Sequence, residues 1–119
     1  MKMEKIGQSY RLGIWAVSPE KADEFVEAWQ SLSEWLAQHL PDERGAILLE
    51  DTTDPTRFIS FATIDNPTKV DEVMSDPECQ DLMSTVMETC DTRKSHSMRV
   101  AGAVKVQPDT EGSGDNSST

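Results

Sequence analysis

Hydrophobic and polar positions alternate with two different periods along this chain. Residues 11–17, 46–51 and 57–64 are rich in β-branched, aromatic and apolar side chains, which is typical of strands. Residues 97–106 alternate apolar and polar positions, so they predict a half-buried fourth strand. Asp54-Pro55 is a turn signal between the second and third stretches, and it predicts a hairpin there.

Helix starts are predicted where a capping residue precedes a proline. This occurs at Ser18-Pro19, Asn66-Pro67 and Asp76-Pro77. Ser, Asn and Asp accept hydrogen bonds from the free N–H groups of a first helical turn. Pro fits the next position because an N–H there has no acceptor within the helix, so a residue without an N–H loses no hydrogen bond. We expect the first helix to end near Leu40, since Pro41 cannot continue it.

The predicted order of elements is β-α-β-β-α-β, with the second helical section divided at Asp76-Pro77. This order is typical of an α+β, ferredoxin-like fold, in which helices cover one face of a four-stranded antiparallel sheet. A chain of 119 residues suits one domain, which we place at residues 1–106. Residues 107–119 contain nothing apolar to bury, so we predict a disordered, acidic and Ser-rich tail.

The first predicted helix has one apolar face. At about 100° per residue, that face carries Phe25, Trp29, Leu32 and Leu36. Trp29 is therefore favoured as a core residue over a pocket wall, because large aromatic residues at helical spacing usually fill space between helix and sheet. Trp35 and His39 flank this face. His39 lies in the last turn, where contact with the terminal carbonyl groups is favoured over a role as a catalytic base.

The helix that starts at Pro77 also has one apolar face, which includes the sulfur-containing side chains of cysteine and methionine. Its apolar face carries Cys79, Leu82, Met83, Val86 and Cys90. The two cysteines lie eleven residues apart, which separates them by roughly 16 Å along a helix, whereas a disulfide needs Cα atoms about 4.4–6.8 Å apart. We predict two reduced thiols, in agreement with a reducing compartment.

The chain is strongly acidic. Eleven Lys and Arg against 22 Asp and Glu leave a formal charge of −11, which opposes binding to nucleic-acid phosphates or anionic lipid. No stretch approaches the roughly 18–20 apolar residues of a membrane span, and the first residues lack a hydrophobic signal region. We therefore expect a cytoplasmic protein without nucleic-acid or membrane partners.

Motifs for cofactors and metals are missing from the sequence. It contains no Gly-rich phosphate loop, zinc-ligand spacing, nucleophile elbow or paired-cysteine redox motif. No cofactor and no metal site is predicted. The catalytic residue is left open, with His39 and His96 as the candidate bases.

Three segments between residues 11 and 90 resemble the antibiotic biosynthesis monooxygenase family, within the dimeric α+β barrel superfamily. They are "PEKADEFVEAW", "GAILLEDTTDPTRFISFATID" and "SDPECQDLM". The resemblance implies a homodimer in which two sheets pair back to back, and a pocket between the helices and the sheet of each subunit. It also implies cofactor-independent oxidation of a small phenolic or quinol substrate.

Other members of this family degrade haem with an Asn on the first strand, a Trp in the short helix after the third strand and a His in the following helix. The corresponding positions here hold Gly13, Val73 and Met83, so haem degradation is disfavoured. Many relatives also carry a Trp at the end of the third strand, where this chain has Ile64.

Three hypotheses follow. The leading one is a homodimeric monooxygenase-like protein with a small apolar pocket lined by Trp15, Trp29, Cys79 and Met83. In the second, the homodimer is non-catalytic and binds a small apolar or aromatic ligand, or merely retains the fold. The third is tetrapyrrole binding through Met83 or a histidine.

Overall fold

Three α-helices lie along a four-stranded antiparallel sheet. The computed structural model describes residues 6–40 and 45–104. Its strands are β1 (Ser9–Ala16), β2 (Ala46–Glu50), β3 (Arg57–Ile64) and β4 (Thr92–Arg99), in the sheet order β2-β3-β1-β4. Its helices are α1 (Ala22–His39), α2 (Pro67–Met74) and α3 (Pro77–Thr89), with a 3-10 turn at Pro19–Lys21 before α1. This is the predicted ferredoxin-like architecture.

Strand β4 begins earlier than predicted. The alternating pattern of residues 97–106 pointed to a strand there, but the strand is Thr92–Arg99. Residues 92–96 are polar, and β4 is an edge strand that pairs with β1 alone. Backbone hydrogen bonds hold such a strand without apolar side chains. Residues 105–106 and the predicted tail at 107–119 lie outside the described residues.

The helix starts are confirmed, although the caps differ. The side chains of Asn66 and Asp76 accept hydrogen bonds from the backbone N–H groups of Lys69 and Glu78, at 3.1 and 2.8 Å. Ser18 does not cap with its side chain, because its hydroxyl donates to the Asp91 carboxylate at 3.1 Å. This bond ties the start of the first helical segment to the residue that precedes β4.

The β2–β3 hairpin is closed by two consecutive turns. Asp51 accepts hydrogen bonds from the backbone N–H and the hydroxyl of Thr53, at 2.9 and 2.8 Å. Asp54 accepts the same pair from Thr56, at 3.0 and 2.6 Å. These bonds lower the pKa of both carboxyl groups below their ordinary value of 3.8. Arg57 adds an ion pair with Asp51 at 3.2 Å, so the turn itself sets the strand register.

Aromatic rings join α1 to the sheet. Phe25 is fully buried between Trp15 and Phe58, with ring centroids 5.2 and 5.0 Å away. The predicted inward face of α1 is confirmed, since Trp29 and Leu32 are buried as well.

Helix α3 packs beside α1 and completes this core. Cys79 and Val86 are buried in it, and Met83 packs against it. Both cysteines are free thiols, as predicted. None of the helices in the described part of the chain combines the length and the apolar character that a membrane span requires.

We expect the substitution Phe25→Ala to lower the free energy of unfolding by about 3–5 kcal/mol, because it leaves a cavity between three packed elements. The neighbouring residue Val26 is 40% exposed on the same helix, so Val26→Ala should change the stability by less than about 1 kcal/mol. Guanidinium chloride denaturation measures both. Equal losses for the two variants would contradict this view of the core.

Candidate functional site

A cavity of about 350 Å³ lies between the helices and the sheet. Strands β1, β3 and β4 form its floor and α1 forms one wall, with further residues from α2 and α3. Its apolar lining includes Trp15, Trp29, Leu32, Leu36, Met74 and Met83. A concave, mostly apolar space of this size suits a small organic ligand.

Three of the four predicted pocket residues meet in this cavity. Trp15, Trp29 and Met83 line it, whereas Cys79 does not. Cys79 lies in the first turn of α3, fully buried in the core, with its sulfur 3.8 Å from that of Met74. Burial, together with the nearby Asp76 carboxylate, raises the pKa of the Cys79 thiol. The geometry makes Cys79 a packing residue with an unreactive thiol.

Neither histidine lines the cavity. His39 is exposed at the end of α1, where its Nδ1–H donates to the Trp35 carbonyl oxygen at 2.8 Å and its ring stacks on Trp35 at 3.8 Å. This is the helix-end role that its position indicates. His96 is exposed on β4 opposite Leu12, in register with the sheet face away from the helices.

The floor of the cavity is polar around Gly13. This glycine pairs with Ser60 on β3 and with Ser95 on β4. The Trp15 indole N–H donates to the Ser60 hydroxyl at 3.0 Å. A Cβ atom on Gly13 would lie 2.6 Å from Ser60 Oγ and 2.8 Å from Trp15 Nε1. Glycine is therefore required for this bond, because a larger side chain would displace Ser60 or the Trp15 indole.

Two arginines line the same cavity. Arg93 pairs with Trp15 across β1 and β4, and its guanidinium carbon lies 5.3 Å from the centre of the Trp15 ring. Its Nε is buried and has no hydrogen-bond partner among the described residues. Arg11 lies two positions before Gly13 on β1, so it shares the same face of that strand.

Sequence reasoning missed both arginines as site residues. Arg93 precedes the stretch predicted as the fourth strand, so nothing related it to Trp15. Arg11 could have been found from the strand period alone, because residues at i, i+2 and i+4 share a face.

The lining also includes Glu34, whose exposed carboxylate accepts a hydrogen bond from the Gln30 side chain at 3.0 Å. Among the described residues, no group of three or more His, Cys, Asp or Glu could hold a metal ion.

Solved structures share this fold. A protein of Nitrosomonas europaea assigned as an antibiotic biosynthesis monooxygenase is 18% identical, with a TM-score of 0.68 over 81% of this chain and 92% of that one. A protein of Deinococcus radiodurans with the same assignment is 14% identical, with a TM-score of 0.69 over 83% and 98%. The cofactor-independent oxygenase SnoaB of Streptomyces nogalater is 12% identical, with a TM-score of 0.67 over 87% and 99%.

These structures confirm the resemblance to antibiotic biosynthesis monooxygenases at the level of the fold. No protein-family model and no curated protein matches the chain. Function must therefore be argued from the residues around the cavity.

We expect Gly13→Ala to destabilise the protein by about 1–3 kcal/mol, because the added methyl group must displace Ser60 or the Trp15 indole. Gly102 is the matched control, since a Cβ there meets nothing within 4 Å. Thermal unfolding measures stability, and the emission spectrum of tryptophan reports the changed indole environment. If Gly13→Ala lowered the thermal stability no more than Gly102→Ala, the close contact of residue 13 with Ser60 and Trp15 would be incorrect.

Proposed function

We propose that the protein is a homodimeric, cofactor-independent monooxygenase of the antibiotic biosynthesis monooxygenase type, acting on a small phenolic or quinol substrate. The observation that carries this proposal is the cavity between helices and sheet, with aromatic walls and a polar floor, in a fold that SnoaB also has. The cavity lies beside the residues of the core and is open to solvent on one side, so a ligand inside it would lose part of its contact with water.

The chemistry asks little of the protein beyond binding. A deprotonated phenol or quinol gives its electrons to oxygen directly; one oxygen atom enters the product and the other leaves as water, so no external reductant is needed. The protein must desolvate the substrate and hold it in one orientation. Trp15 and Trp29 supply flat apolar walls for an aromatic ring, while Ser60 and Ser95 supply hydroxyl groups on the floor.

The homodimer is supported by the second face of the sheet. The helices cover one face, and the other carries exposed apolar side chains at Ile47 (59%), Leu49 (48%) and Met98 (47%). The register places Ile47 and Leu49 opposite Phe61 and Ile59 on this face. A second copy related by twofold symmetry would remove this surface from water.

A non-catalytic role is the second candidate. It is favoured by the location of His39 and His96 outside the cavity, which leaves no imidazole to remove a proton from a bound substrate. In that case the same cavity would bind a small aromatic ligand without converting it.

Oxygen consumption with a panel of quinols and anthrones separates these two candidates. We expect uptake above buffer for the native protein, and a rate at least about tenfold lower for Trp29→Ala, because the substrate loses the wall that orients it. Trp35 on the same helix does not line the cavity, so Trp35→Ala is the matched control and should keep its rate. No uptake with any substrate would favour the non-catalytic role, and an unchanged rate in Trp29→Ala would place the reaction elsewhere.

Light scattering after size-exclusion chromatography tests the dimer. We expect twice the chain mass of 13.3 kDa for the native protein, and a shift towards the monomer when Ile47 and Leu49 are both changed to Lys, since two charges would then be buried in the interface. Val26→Lys, on the exposed side of α1, should leave the mass unchanged. A native protein that elutes as a monomer at all concentrations would refute the proposed assembly.

A further inference from the structure

The cavity floor is positively charged in a strongly acidic protein. The chain has 22 Asp and Glu against 11 Lys and Arg, yet two arginines, Arg11 and Arg93, line this one cavity. The carboxylate among the lining residues is that of Glu34, which belongs to an exposed residue and already accepts a hydrogen bond from Gln30. The arrangement therefore presents cations to whatever occupies the cavity.

Arg93 lacks the partners that a half-buried guanidinium normally has. Within residues 6–40 and 45–104, no carboxylate forms an ion pair with it, and its buried Nε makes no hydrogen bond. Its contact with the Trp15 ring holds the guanidinium plane in place without using its N–H donors. Buried donors in native proteins are almost always satisfied, so an acceptor on a ligand is the natural partner for this group.

Further donors lie beside Arg93. Ser60 on β3 and Ser95 on β4 lie on either side of Gly13. Gly13 is two residues before Trp15 on β1 and lies on the same face of that strand. The Ser60 oxygen accepts from the Trp15 indole, and its own O–H is free to donate. The missing side chain at Gly13 leaves the space that the Trp15–Ser60 hydrogen bond occupies.

We propose that the ligand of this cavity is an aromatic molecule that carries an oxyanion, a phenolate or a carboxylate, which Arg93 binds with help from Arg11 and the two hydroxyl groups. This inference rests on the proposed function, since it names the substrate class of the same cavity. Guanidinium groups are well suited to bind oxyanions, because their N–H donors form charge-assisted hydrogen bonds.

The charge of Arg93 would also help a bound phenol to lose its proton. A cation beside a bound phenol favours the charged form and so lowers the pKa of that phenol. The proton then passes to solvent water, and no base side chain is needed in the cavity. The location of both histidines outside the cavity is compatible with this route.

The first test compares 2-naphthoate with its neutral analogue 2-naphthamide by calorimetry at pH 7, where the acid is ionised. We expect the native protein to bind the carboxylate about tenfold to a hundredfold more tightly than the amide. Arg93→Gln should remove most of this preference, because it weakens carboxylate binding far more than amide binding, and Arg93→Lys should restore part of it. Lys94 is exposed on the opposite face of β4, so Lys94→Gln is the control for loss of one positive charge.

The second test uses 4-nitrophenol, which titrates near neutral pH and has a yellow anion. We expect its pKa to fall on binding to the native protein and to fall less in Arg93→Gln, and absorbance titration measures both. A lowered phenol pKa identifies a phenolate site, whereas a preference for naphthoate alone identifies a carboxylate site. Either result supports an oxyanion ligand.

Three other outcomes would contradict an oxyanion ligand. If the amide binds as tightly as the carboxylate and the phenol pKa is unchanged, the oxyanion inference is overturned while the cavity remains a ligand site. Equal weakening of all probes by Arg93→Gln would assign Arg93 a structural role only, and would overturn it as well. If no probe binds the native protein, both the inference and the proposed function of the cavity fail.

Discussion

The packing of Phe25 against Trp15 and Phe58 is the contact on which the rest of the structure depends. It fastens α1 to the two central strands, and ring centroids 5.0–5.2 Å apart leave no space between them. The indole N–H must then find a polar partner, and it does so at Ser60. One side of Trp15 thus belongs to the core and the other side to the cavity.

The two faces of the sheet have different tasks because strand side chains alternate. The face with Gly13 and Trp15 meets the helices and encloses the cavity. The face with Ile47 and Leu49 remains exposed in the single chain. A site on one face and an apolar surface on the other can therefore vary separately in sequence, although β1 carries both.

The shared fold does not settle the chemistry. The similar structures are 12–18% identical to this chain, a level at which they show the fold alone. The cavity of this chain has a floor of two arginines and two serines beneath aromatic walls. Its chemistry follows from those groups, because function resides in sites that a fold only positions.

Local patterns in the sequence determined the elements and their faces. Proline after a capping residue located three helix starts, and the 3.6-residue period placed Phe25 and Trp29 inside. Such signals depend only on neighbouring residues. Strand β4 began earlier than its pattern indicated, because an edge strand of polar residues is held by the backbone of β1, which lies far away in sequence.

Only the tertiary structure decided what the cavity contains. Cys79 and Met83 share one helix face, yet Met83 borders the cavity while Cys79 is closed off by the core. Arg93 reaches Trp15 because β4 pairs with β1 across 78 positions of the chain, from residue 15 to residue 93. Helical and strand periods specify which side a residue faces, but whether that side is filled, open or charged depends on elements that packing brings together.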